Sequence, residues 1–256
     1  MPNLESLLTP ATARPLMAGG LFLLVWALAA QVPGLLRRIL ARQGNQRWHK
    51  LAAASAWPYV GRILALVYAL GCVYLAFWGA YIAPLDIGLE PLAWGALAPW
   101  LPAVAGLTAL WAATLWGATW RDLGPKEDAS PRGAYGTILG LPAHLVGEEA
   151  WAAILRGALI PALGLYWGAW AAVLVRGLVS LASPGVRRRL ADDAARPFVY
   201  LDWGMDWVAA GCFVVSGSLW ASLIARTAGH LAANLIHRGL YAWARRRKRQ
   251  GSIEAG

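Results

Sequence analysis

The sequence predicts an all-α protein: a polytopic transmembrane helical bundle of about seven spans, amino terminus out and carboxyl terminus in. Three observations carry this. Of 256 residues, 59% are hydrophobic and 14% are charged, whereas soluble domains carry nearer a quarter charged residues. The apolar residues fall into blocks of about 20, the length that crosses a hydrocarbon core of about 30 Å. Basic residues gather in alternate connectors, which marks those connectors as cytoplasmic.

Taken in order, the first helix is expected over about 16–36 and the second over about 62–84. The third, over about 92–120, is rich in Trp and Pro, with kinks expected at Pro99 and Pro102. The fourth runs over about 135–160, the fifth over 162–183, the sixth over 199–215 and the seventh over 218–243. Residues 1–134 read as an amino-terminal three-helix membrane region, 135–243 as a core of polar helices, and 244–256 as a basic cytoplasmic tail.

The connectors fix the orientation. Arg37, Arg38, Arg42, Arg47 and Lys50 follow the first helix. Arg121, Lys126 and Arg132 follow the third, and Arg187, Arg188, Arg189 and Arg196 follow the fifth. Arg245, Arg246, Arg247, Lys248 and Arg249 follow the seventh. The connectors LDIGLEP, PALG and VSGS hold no Lys or Arg. Seven spans satisfy every connector, and the expected location is the plasma (inner) membrane.

The same pattern accounts for the net charge of +10, from 23 basic and 13 acidic residues. In a soluble chain such charge would suggest nucleic acid. Here it marks topology and anionic lipid, so no nucleic-acid partner is expected. Many of the sixteen tryptophans, among them Trp48, Trp120, Trp203 and Trp243, lie near expected helix ends, where indole favours the interface. The two cysteines, Cys72 and Cys212, lie inside apolar blocks, so neither a disulfide framework nor a cysteine metal site is expected. No cleavable signal peptide is expected, because the first apolar block is long enough to span. No glycine-rich phosphate loop is present, and no cofactor is expected.

Charged groups at mid-bilayer are costly and usually serve a purpose. The fourth helix carries His144, Glu148, Glu149 and Arg156. His144 and Glu148 are four apart and Glu149 and Arg156 seven apart, so each pair shares a helix face. Two adjacent carboxylates in low dielectric cannot both ionise cheaply, the condition that tunes a general acid or base. The seventh helix carries Arg226, His230, Asn234 and His237 on one stripe, a basic face suited to a buried acidic pair. Glu149 and His230 lie at matching depths, roughly 20 Å and 17 Å from the cytoplasmic ends of their helices, so the two helices are expected to share one polar chamber. Arg176, midway along the fifth helix, is expected to be a counter-charge for Glu148 or Glu149. Asp202 and Asp206 are expected to pair with the arginine-rich connector or cap the sixth helix.

These residues resemble the motifs of the CPBP family, the CAAX-protease and bacteriocin-processing intramembrane endopeptidases. Glu148-Glu149 begins a paired-glutamate motif, and Arg156-Gly157-Ala158-Leu159 resembles its RGxL ending. His230 through Asn234 matches HxxxN, and Ser216 through Trp220 resembles the turn that enters that helix. The resemblance covers roughly 135–240. It implies hydrolysis of a peptide bond in a membrane-tethered protein or peptide. In that scheme Glu148 or Glu149 activates a water, and His230 and Asn234 orient it or stabilise the oxyanion. The chain departs from the family pattern in three places. Ala153 stands where EExxxR has its arginine, Ser183 where FxxxH has its histidine, and Arg226 where the last motif has its histidine. His144 is the candidate replacement for the second-motif histidine. Two other classes use the same residues: an inactive relative acting as a membrane binding or assembly factor, and a small carrier with buried charges.

Overall fold

The computed structural model describes residues 9–29, 31–42, 57–89, 95, 98–123, 140–193 and 195–254. Among them the fold is helical, without strands. In chain order the helices are α1 (Pro10–Ala29), α2 (Val32–Arg42), α3 (Trp57–Trp78), a 3-10 turn (Pro84–Ile87), α4 (Leu101–Leu123), α5 (Gly140–Ala182), α6 (Pro184–Ala191), α7 (Arg196–Ser216) and α8 (Leu219–Glu254). Among the described residues, three segments are long and apolar enough to cross a membrane, by length and composition: Ala11–Leu40, Pro142–Ala182 and Arg196–Ser216. Two shorter apolar helices are Ile63–Trp78 and Leu101–Leu115.

Several elements differ from expectation. The first predicted helix is two: α1 starts earlier, and a turn at Gln31 separates it from the arginine-bearing α2. Pro99 lies in the turn before α4 and Pro102 in its first turn. Proline at that position loses no helical hydrogen bond, so it starts the helix and does not kink it. The arginine-rich connector forms a helix of its own, α6. The helix α8 continues through the basic run at 245–249. Arg47, Trp48, Lys50, Lys126 and Arg132 lie outside the described residues, as do the side chains of Arg37, Trp120 and His237.

The chain forms two compact units, each from two stretches: Met1–Leu89 with Leu139–Ser183, and Glu90–Ile138 with Pro184–Gly256.

In the first unit α5 is a hairpin. Gly164 leaves the helical region at φ 77° and ψ 166°, a conformation essentially confined to glycine. The chain then folds back, so that a Cβ on Gly168 would sit 2.7 Å from Ile160 Cα. Each limb is about 20 residues, or about 30 Å. The first limb is the hub. Gly19 lets α1 approach so closely that a Cβ there would lie 2.6 Å from Ala158 Cβ. Gly157 lets the 3-10 turn approach, with Ile87 2.9 Å from the corresponding point. Small residues bring backbones together where lipid gives no hydrophobic drive to do so. Phe22 stacks on Tyr68, with centroids 5.3 Å apart, and meets Trp151 edge-on at 4.9 Å. The Tyr68 hydroxyl donates to the Phe22 carbonyl at 2.7 Å, so α1, α3 and α5 are joined at one level.

In the second unit α4, α7 and α8 enclose Ala112, Phe198, Leu201, Met205 and Ala233. Gly229 of α8 lies directly against Met205, and a Cβ there would sit 2.7 Å from the Thr108 methyl. The chain turns from α7 into α8 at Gly217, whose φ of 65° lets its N–H close on the Phe213 carbonyl at 2.7 Å. The Ser218 N–H donates to Ser216 Oγ at 3.1 Å and completes the turn. Residues 202–213 of α7 therefore run antiparallel to residues 219–230 of α8.

Candidate functional site

Each unit carries its own polar cluster. In the first, α5 presents His144, Glu148, Glu149 and Arg156 along one limb and returns Arg176 on the other. Glu149 forms an ion pair with Arg156, and both side chains are 3% exposed. Arg156 also donates from Nε to the Ala152 carbonyl at 3.2 Å. Glu148 forms an ion pair with Arg176, whose Nη1 donates to the Glu148 carbonyl at 3.1 Å. His144 Nδ1 lies 3.8 Å from Glu148 Oε1.

The two carboxylates are therefore unlike. Each has its own guanidinium: Arg156 on the same limb for Glu149, and Arg176 across the hairpin for Glu148. Glu149 is sealed, while Glu148 is 27% exposed beside a 24% exposed His144. Glu148 can meet a substrate or water, and Glu149 cannot do so without breaking its ion pair.

In the second unit, Asp206 Oδ1 accepts from Arg226 Nη1 at 2.6 Å, with both side chains buried. Asp202 Oδ1 lies 4.0 Å from His230 Nε2. Its Oδ2 lies 3.6 Å from Arg189 Nη2 of α6. Asn234 is half-buried one turn past His230.

Sequence reasoning assigned these acids in part. Asp202 does pair with the arginine-rich connector, through Arg189. Asp206 does not: it is the partner of Arg226 on the next helix. The signal was available, since Asp202 and Asp206 have the same spacing of four as Arg226 and His230. Facing helices pair i,i+4 sets of opposite charge when they pack antiparallel. The basic stripe of α8 thus finds its carboxylates on α7, and the acidic pair of α5 finds its guanidinium groups within α5.

The arrangement offers two histidine–carboxylate pairs, His144 with Glu148 and His230 with Asp202. Such a pair can fix an imidazole tautomer and hold or pass a proton. No family model, curated protein or solved structure matches the chain.

Proposed function

We propose that the chain is an intramembrane endopeptidase, a divergent relative of the CPBP proteases, that cleaves membrane-tethered proteins or peptides. The observation that carries this reading is the environment of Glu148. It is a half-buried carboxylate on a helix apolar enough to span, held by Arg176 and flanked by His144. Glu148 activates the water, and His144 takes the part of the second-motif histidine by accepting or returning its proton. Glu149 and Arg156 form the anchor that fixes the helix face. In the family resemblance His230 and Asn234 have the role of orienting the water or stabilising the oxyanion; in the second unit His230 lies beside Asp202.

The seven-span topology, amino terminus out, belongs to the same proposal and places the chain in the plasma membrane. It is supported by the α5 hairpin, which divides one long apolar segment into two limbs of membrane length. With α1, α3, α4, α7 and α8 the count is seven, and Gly164 turns the chain on the side free of Lys and Arg.

The test replaces Glu148 and Glu149 singly with Gln and compares membrane proteomes for uncleaved precursors. Glu148→Gln is expected to accumulate precursors while the protein remains folded. Unchanged processing in folded Glu148→Gln removes the protease reading. A second reading, an inactive relative acting as a membrane binding or assembly factor, is favoured by the complete pairing of Glu148, Glu149, Asp206 and Arg226 in ion pairs. It gains support if Glu148→Gln alters complex formation and no precursor appears.

A further inference from the structure

Buried polar side-chain atoms nearly always have a hydrogen-bond partner, from protein or from ordered water. On α7 and α8 three such atoms lack one: Asp202 Oδ1, Ser218 Oγ and Ser222 Oγ. Ser218 and Ser222 are 5% and 0% exposed.

Their positions are not scattered. Asp202 faces His230 and Asp206 faces Arg226. Continuing this antiparallel register one step toward the Gly217 turn sets Ala210 opposite Ser222. The next step sets Val214 opposite Ser218. One face of α8 thus presents Ser218, Ser222, Arg226 and His230 at successive intervals of four, over about 18 Å. All four are buried. At the Ser222 level this register sets the single methyl of Ala210, itself buried, on the α7 side. Burying unpaired hydroxyls beside an ion pair costs stability unless something satisfies them.

We propose that ordered water occupies the α7–α8 seam from Ser218 to the His230–Asp202 pair, forming a hydration route into the protein. Water needs two to four polar partners to reside in an interior. The Ser218 and Ser222 hydroxyls, the Asp206–Arg226 pair and Asp202 Oδ1 supply them in sequence. Resting on the protease reading, the route brings water to the His230–Asp202 pair and gives a proton path from the membrane surface, which hydrolysis in a hydrocarbon environment requires.

Thiol chemistry reports this directly, because only a thiolate reacts and a thiolate forms only where water solvates it. In the full-length protein with Cys72 and Cys212 replaced by Ala, single variants Ser218→Cys and Ser222→Cys are treated with the water-borne reagent methanethiosulfonate ethylammonium. Ala221→Cys and Ala225→Cys, equally buried on α8 but on another face, are the comparison. Both serine-site thiols are expected to react at least about tenfold faster than the alanine-site thiols. Adding Ala210→Leu, which fills the seam, is expected to slow Ser222→Cys to the alanine-site rate. Serine and cysteine are nearly isosteric, so the labelled variants keep the native packing. Equal rates at all four positions, or no effect of Ala210→Leu, overturns the proposal. Labelling requires no cleavage. A reactive seam in a protein that cleaves nothing removes the protease reading alone, and cleavage with an unreactive seam removes the hydration route alone.

Discussion

Arg176 reaches across the α5 hairpin and holds Glu148 twice, through its carboxylate and through its main-chain carbonyl. These residues are 28 apart in sequence, so the contact exists only because the chain reverses at Gly164. It ties the more exposed of the two α5 carboxylates to the returning limb.

Replacing Arg176 with Met is expected to lower stability by about 1–3 kcal/mol, the cost of losing charged hydrogen bonds to a partly buried acid. Arg176→Lys keeps the charge but cannot donate as a fork, and should lose less. Thermal unfolding in detergent micelles reads both. Equal loss in the two variants would show that charge contributes nothing at this position.

The Glu149–Arg156 pair should behave differently from Glu148–Arg176. Glu149→Gln or Arg156→Met leaves one buried charge without its partner, at about 3–5 kcal/mol. Replacing both with apolar residues should recover most of that loss. In contrast, Glu148→Gln should cost less, because Glu148 is partly exposed and the Gln oxygen can still accept from Arg176. A double-mutant cycle on unfolding temperature distinguishes the two positions.

Gly164→Ala places a Cβ in a backbone conformation that only glycine adopts freely, at about 1–3 kcal/mol. The Arg176–Glu148 contact should weaken with it, since both depend on the same reversal. Proteolysis at the α5 turn, compared between variant and wild type, is expected to accelerate.

Gly229→Leu drives a side chain into Met205 and Thr108, and overpacking of this kind costs about 1–3 kcal/mol or more. Because it separates α8 from both α4 and α7, it should also weaken the Arg226–Asp206 contact. Methyl NMR of Met205 is expected to shift strongly in Gly229→Ala, the milder variant, and an unshifted signal would contradict the close approach.

The turns test the topology. With Cys72 and Cys212 replaced, Leu85→Cys and Leu163→Cys are expected to react in intact cells with a membrane-impermeant maleimide. A cysteine at Arg187 is expected to react only after the cells are opened. Reaction of Leu85→Cys and Arg187→Cys from the same side would remove the alternating arrangement.

Helix content and the apolar blocks were legible because length and hydrophobicity are local properties of the chain. The seven-residue step from Glu149 to Arg156 was legible too, since helical periodicity alone sets both on one face. So was Arg176 as a counter-charge, because a lone guanidinium in an apolar block demands an acid. The partner of Arg226 was not assigned. Asp206 lies in a short connector's neighbourhood by sequence, and only the antiparallel register of α7 and α8 decides that it meets Arg226 instead of Arg187–Arg189.

By itself, the sequence determined that this protein is helical and rich in segments fit for a membrane, and which few charged residues its interior must accommodate. Hydrocarbon tolerates no unsatisfied backbone, so apolar blocks of that length have helix as their outcome. Tertiary structure decided the pairings that cross between helical segments: Arg176 to Glu148 through the reversal at Gly164, and Arg226 to Asp206 through the turn at Gly217. Pairing depends on where helices fold back and how close their small residues let them come, and neither is a property of any one helix.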